Sequence, residues 1–425
     1  MNRRRLVFFA FVSGATALAC QIVAGIERVE KFDPPDAADV SPRPDTTPVP
    51  DPCTHFRPPA EPLVDDAPNE KIADIIIALR RLELVQKDGV PLAGFDLDNV
   101  CTCDTRPFTA REGGASCLSS KPVACDADGG VDNAVGTALR SFASFVDIDQ
   151  AVRINKRIEA GTKTLLIALT SYNGRANDKE VGVGLFTSEG IRTPSPCPDS
   201  KPSEAGAFFT PGWCGEDTWT VSSNTVNASP DNIRFVPKAL GSGYVTNYEF
   251  VVSLGGSAEI PFGGYKLTVS SGLARGRLVP LDAAGNPIDT STNPDPSTIS
   301  RWRMLDGILG GRIPVTELVA AMGTANIPGG DAASGDIPAV CSSVAIFPTI
   351  KQQICDAIDI NTSARLDFSK DVVCDALSMA VTLTGEQARA KDLVPSEDAS
   401  ANDCLPTEDG GGPKNGPPGV TYRCD

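Results

Sequence analysis

YVTNYEFVVSLGGSAEIPFGGYKLTVSSGLARGRLVPL, residues 244–281, is the stretch whose reading decides the fold. Tyr248, Phe250 and Val252 alternate with Glu249, Val251 and Ser253, and Leu267 and Val269 alternate with Lys266 and Thr268. Successive side chains on a strand point to opposite faces, so a period of two predicts strands with one buried face. Gly-Gly and Ser-Gly pairs divide the run into YVTNYEFVVSL, SAEIPF, YKLTVSS and LARGRLVPL. Toward the N-terminus, KTLLIALTSY (163–172) and EVGVGLF (180–186) flank a loop that holds Asn173-Gly174, a hairpin-turn dipeptide. TWTV (218–221) and IRFVP (233–237) lie between, after a long insertion at 187–217 that Cys197 and Cys214 are expected to staple. Many short strands with Gly and Asn turns predict a mainly β protein with helices, built on an antiparallel, jelly-roll-like β-sandwich.

Further out, KIADIIIALRRLELV (71–85) fits both a strand and a helix. Its β-branched run and the turn-like QKDG that follows favour a strand. Residues 94–133, with four cysteines and many glycines and acids, read as a disulfide-stapled loop region, and 133–160 as helices opened by Asp132 or Asn133 as N-cap. Beyond the polar break DTSTNPDPSTIS, the segments PVTELVAAMG, TIKQQICDAIDI and VCDALSMAVTLT predict a small C-terminal helical lobe, with Pro314 in a helical first turn. Cys404 and Cys424 are expected to clasp the Gly/Pro-rich tail. The organisation expected is a signal peptide at 1–19, a lipid-anchored Pro-rich tether at 20–68, the stapled sandwich with inserted helices at 69–290, and the helical lobe and tail at 291–425. Residues 70–400 are expected to form one cooperative unit.

The N-terminus supplies an address. Arg3, Arg4 and Arg5 precede an apolar run from Leu6 to Ala19, the pattern of a secretory signal peptide. Leu18-Ala19-Cys20 resembles a bacterial lipobox, although Leu18 stands one position nearer the cysteine than usual. The chain has 13 cysteines. Setting Cys20 aside leaves Cys53, Cys101, Cys103, Cys117, Cys125, Cys197, Cys214, Cys341, Cys355, Cys374, Cys404 and Cys424, an even set suited to disulfides in an exported protein. A lipidated Cys20 needs no partner; the alternative is a secreted or periplasmic protein with one free thiol. Phe32 to Pro68 is too proline-rich to fold by apolar burial and favours extended conformations. If Cys197 pairs with Cys214, five cysteines precede the pair and five follow it. At least one disulfide must then join the two halves, with Cys53 as the first candidate.

The net charge of −16, which becomes three units more negative once residues 1–19 are removed, argues against nucleic acid as a partner. His55 is the sole histidine, which removes Ser-His-Asp and Cys-His catalysis and His-based zinc from consideration. Two constellations remain. DLDN, with Asp96 and Asp98, and DADGGVDN, with Asp126, Asp128, Asp132 and Asn133, place hard oxygens around glycine as calcium loops do, though not at EF-hand spacing. Solvated turns with Asp132 as a helix cap suit the same residues. The loop YNGRANDKE could add Asn177 or Asp178 or serve as a simple turn. In FFTPGWCGEDTW, Trp213 and Trp219 with Phe208, Phe209, Glu216 and Asp217 could form a sugar-binding face or a small core beneath the stapled loop.

ALACQIVAGIE, GFDLDNVCTC, GGVDNA, YNGRANDKEVGVGLF, WCGEDTW and CDALSMAV together resemble the large predicted lipoproteins of myxobacteria. The resemblance implies a Gram-negative envelope setting, at the outer membrane or cell surface, and implies nothing about substrate. The expected function is an envelope lipoprotein, held to the membrane by its lipid, that acts as a binding or adhesion module for polysaccharide. A secreted carboxylate-dependent glycan hydrolase and a passive structural protein are the rivals.

Overall fold

Ile75, Ile77 and Leu79 enter one apolar core while Ile76 and Ala78 face a second, so this segment is a strand, β1 (Ile75–Glu83). The computed structural model describes residues 55–83, 93–102, 116–119, 125–142, 150–203, 206–227, 236–262, 265–324, 339–367, 369, 371–396, 404, 406–407, 411–413 and 419–424. The expected signal peptide, Cys20, most of the tether, Cys53 and Cys103 lie outside them. After β1 come helices α1 (Ala134–Phe142) and α2 (Gln150–Glu159), then β2 (Thr164–Thr170), β3 (Asp178–Ser188) and β4 (Thr218–Ser222). The short pair β5 (Val226–Asn227) and β6 (Val236–Pro237) precedes β7 (Ala239–Thr246), β8 (Glu249–Leu254), β9 (Ser257–Phe262) and β10 (Tyr265–Leu281). β11 (Arg301–Pro314), α3 (Val315–Gly323), α4 (Ile346–Asp356) and β12 (Ala376–Val394) complete the order.

The fold is mainly β and antiparallel, as expected, but the strands form one sheet that closes on itself and not a clear jelly-roll sandwich. β1, β2, β3, β7, β8, β10, β11 and β12 hydrogen-bond in that order, and β12 pairs back with β1 from Ile76↔Ala388 to Glu83↔Thr382. This makes an eight-stranded, barrel-like sheet. One face of every barrel strand contributes to a continuous core that includes Leu169, Val183, Val245, Phe250, Trp302 and Leu383. Helices α1, α3 and α4 extend it. On the other face of β1, β2 and β3, Trp219 and Val221 of β4 cover Ala78, Leu166 and Phe186. β4 joins β12 in parallel.

Three differences from the sequence expectation have identifiable causes. VCDALSMAVTLT, expected as a helix, runs into β12. Leu377, Met379, Val381 and Leu383 point into the core while Ser378 and Ala380 point out, and pairing with β11 on one side and β1 on the other overrides helix propensity. The expected helical lobe thus also supplies β11 and β12 to the barrel. YVTNYEFVVSL is two strands, because Asn247 and Tyr248 both adopt positive φ (50° and 63°), which builds a tight two-residue hairpin turn. YKLTVSS and LARGRLVPL are instead one long strand, β10, with a bulge between Ser270 and Leu273.

All ten cysteines among the described residues are disulfide-bonded. Cys197–Cys214 staples the insertion as expected. The expected Cys404–Cys424 clasp is not formed: Cys404 pairs with Cys341 and Cys424 with Cys355, which ties the tail to the segment around α4. The crossing disulfide that parity required is Cys117–Cys374, so Cys117 and not Cys53 makes the link. Such a framework belongs to a chain folded in an oxidising, exported environment. Among the described residues no helix is long and apolar enough to cross a membrane. From His55 onward the segment expected as tether is held against the barrel: Asp66 N donates to Asn177 O (3.1 Å), and Tyr244 of β7 donates from its hydroxyl to Pro59 O (2.5 Å).

Replacing Cys117 and Cys374 together by serine is expected to lower unfolding free energy by about 2–5 kcal/mol, because the bond constrains a very long loop. Denaturant titration of the double variant beside the parent checks this, and an unchanged midpoint would contradict it.

Candidate metal centre

The DLDN and DADGGVDN segments lie side by side on the outer face of the barrel wall. Asp132 N donates to Phe95 O (3.0 Å), which pairs the two segments antiparallel. Phe95 anchors them by packing on Ile308 and Ala380. Between Ala127 and Val131 the chain reverses through Gly129 and Gly130, both at positive φ (80° and 70°). Glycine is needed at 130 for a second reason: a Cβ there would come within 2.9 Å of Cys101 Sγ and 3.2 Å of Asp96 Oδ2.

This arrangement brings Asp96, Asp98 and Asp132 together, with one ligand oxygen from each within 4.8 Å of the others. Backbone amides orient the group. Val100 N donates to Asp98 Oδ1 (2.9 Å), Leu97 N to Asp132 Oδ2 (2.6 Å) and Thr102 N to the neighbouring Asp126 Oδ2 (2.6 Å). Asp96 Oδ2 meets His55 Nδ1, while Asp96 Oδ1 is buried and has no hydrogen-bond partner among the described residues. Phe56 laces its segment to the same loops, donating from N to Gly129 O (2.8 Å) and accepting at O from Asp96 N (3.1 Å).

Asp359 is the member that sequence reasoning missed. Ser378 N of β12 donates to its Oδ1 (2.9 Å) and Ser378 Oγ bonds its Oδ2. Nothing near Asp359 in the sequence marks it, although the parity of the cysteines already required the two halves to meet. Arg312 of β11, wholly buried, steadies the region: it holds Asp367 in two hydrogen bonds (2.7 and 2.5 Å) and donates to Leu97 O (2.8 Å) and Asn361 O (2.9 Å).

Burial, reinforced by mutual repulsion, keeps these carboxyls protonated well above the ordinary range. Asp98 is pushed up to about 6, with Asp96 and Asp367 adding to the effect of burial. Asp126 is pushed up to about 8 by burial and then by Asp98, Asp359 and Asp96. Asp359 rises to about 7, chiefly through burial. Asp132 lies well above its usual value for the same reasons. Comparison with protein-family models, curated proteins and solved structures finds no match to this chain. The chemistry therefore rests on geometry alone: an all-carboxylate cluster suited to a hard cation.

The other expected residues fall elsewhere. Asp128 is exposed at the turn. Asn133 is a cap, and its Oδ1 accepts from Gly136 N (2.9 Å) and Ala380 N (3.2 Å), so it is corrected from ligand to scaffold. Asp178 is wholly buried, accepts from Asn173 N (2.6 Å) and Glu180 N (3.0 Å) and pairs with Lys71, which makes it a turn organiser. Trp219 is wholly buried in the second core, so it cannot be part of a sugar-binding face. Trp213 packs against that core with its ring centroid 6.2 Å from that of Trp219, and Asp217 holds the stapled loop through Gly212 N (3.0 Å) and Trp213 N (2.6 Å).

In the unfolded chain these aspartates titrate near 3.9. Between about pH 4 and pH 8 the folded protein then holds more protons, so in chelating buffer stability is highest at the acid end and falls as pH rises. Thermal midpoints recorded with chelator at pH 5 and pH 8 should decrease in that order; a rise would contradict the raised values.

Proposed function

We propose that the protein is an exported envelope lipoprotein, anchored through Cys20, whose barrel acts as a binding or adhesion module for polysaccharide. The observation that supports this most directly is the pairing of every described cysteine. An exported chain that pairs its cysteines so thoroughly has a natural place for an odd one at Cys20, directly after the apolar run from Leu6 to Ala19. The resemblance to myxobacterial lipoproteins favours a Gram-negative outer membrane or cell surface.

A binding role fits the fold better than hydrolysis. Glycan hydrolysis by carboxylates needs two acids facing each other across space for a sugar. Here Asp98 and Asp132 are each only 2 % exposed, and no substrate could lie between them. The barrel interior is filled by Trp302, Phe250, Leu169 and their neighbours, which leaves ligand contact to loops and outer strand faces.

Two measurements test the proposal. Expressed with its own leader in a Gram-negative host, the protein should incorporate radiolabelled palmitate and sediment with membranes, and Cys20→Ser should abolish both. A wild-type chain that takes up no lipid would remove the anchor. On an array of bacterial polysaccharides the mature chain should be retained; absence of retention with and without calcium would favour a passive structural role.

A further inference from the structure

The cluster on the outer barrel wall offers more than a set of acids close together. We propose that Asp96, Asp98 and Asp132 bind one calcium ion, with the carboxyls of Asp126 and Asp359 beside them. This goes beyond the envelope reading and does not depend on the anchor.

Distance is the first support. The three ligand oxygens lie within 4.8 Å of one another. That is close enough for one calcium ion, with Ca–O distances of about 2.3–2.6 Å, to touch all three, whereas magnesium dehydrates reluctantly and is seldom held by protein carboxylates alone. The second support is Asp96 Oδ1. Its side chain is fully buried and this atom has no hydrogen-bond partner among the described residues, while the other oxygen is taken by His55. A buried carboxylate oxygen without a donor is costly, and a cation in the cluster supplies what it lacks. Ligand type is the third. The set is all oxygen, and Cys101, which approaches the Gly130 backbone, is in a disulfide and offers no thiolate. Carboxylate sites select hard cations over softer metals.

The amides of Leu97 and Val100 already orient Asp132 and Asp98, so the ion would meet a set partly arranged in advance. Because Asp359 and its partner Ser378 come from the C-terminal half, calcium draws the N-terminal loops onto the barrel wall.

The test is calorimetric titration of calcium into the chelator-stripped mature chain, with thermal midpoints recorded in parallel. One ion per chain is expected, with a dissociation constant of about 10⁻⁴–10⁻³ M as in extracellular modules, and the midpoint should rise by several degrees at saturation. Asp98→Asn should weaken binding at least tenfold, while Asp128→Asn, at the exposed turn, should leave it unchanged. No heat and no midpoint shift in the wild type up to about 10 mM calcium, well above the range of such modules, would overturn the proposal. So would an equal response to magnesium, or full binding by a folded Asp98→Asn protein. If Asp98→Asn does not fold, the wild-type titration decides alone.

Discussion

The pairing of β1 with β12 is the contact on which the rest of the molecule depends. It sets Ile76 opposite Ala388 and Leu82 opposite Leu383, across almost the whole described chain. Without it the sheet would have two open edges, and its inward faces would be exposed along both. The register is strongly specified, because a slip of one residue would turn Ile77, Leu79 and Leu383 out of the core. Bulges between Leu79 and Arg81 in β1, and between Met304 and Gly307 in β11, supply local bending of the kind closure needs.

Closure also builds the carboxylate centre. The first residues of β12 have two working faces: Leu377 and Met379 fill the barrel, while Ser378 and Ala380 point outward. Ser378 Oγ bonds Asp359 and accepts from Ala134 N, where α1 begins (2.9 Å). Asn133 then clamps Ala380 to Ala93, donating to both carbonyls (3.2 and 2.8 Å). The loops bearing Asp96, Asp98 and Asp132 therefore rest on a wall whose position is fixed by strands from the opposite end of the sequence. Cys117–Cys374 fastens the same junction covalently.

What could be read in advance divides along this line. Period-two segments such as YEFVVSL were legible because they carry their own pattern of burial, and the Ile75–Ile77 run because three β-branched residues before a turn favour a strand. The Asp96, Asp98 and Asp132 grouping was legible from composition, and the Cys197–Cys214 staple from proximity. β12 was misread because LSMAV is rich in helix formers, and only pairing on both sides makes it a strand. The Asn247-Tyr248 turn was hidden, since alternation reads straight through it and an aromatic residue at positive φ is uncommon. The roles of Asp359 and Arg312 and the partners of Cys404 and Cys424 arise from tertiary contacts between distant segments, which local pattern does not encode.

Charge compensation at the centre then has few solutions. Arg312 is committed to Asp367 and His55 lies against Asp96. Asp98, Asp126, Asp132 and Asp359 are held by backbone amides, which orient a carboxylate but bring no net charge. Protons could neutralise them, but every added O–H then needs an acceptor in the same confined space. Among the described carboxylate oxygens of the cluster, Asp96 Oδ1 is buried and still lacks a donor. A divalent cation eases both conditions together: its two positive charges offset two of these four carboxylates and so reduce the number of hydroxyls that need an acceptor. It also serves the Asp96 oxygen that lacks a hydrogen-bond partner among the described residues, which is why a cation suits this cluster better than protonation.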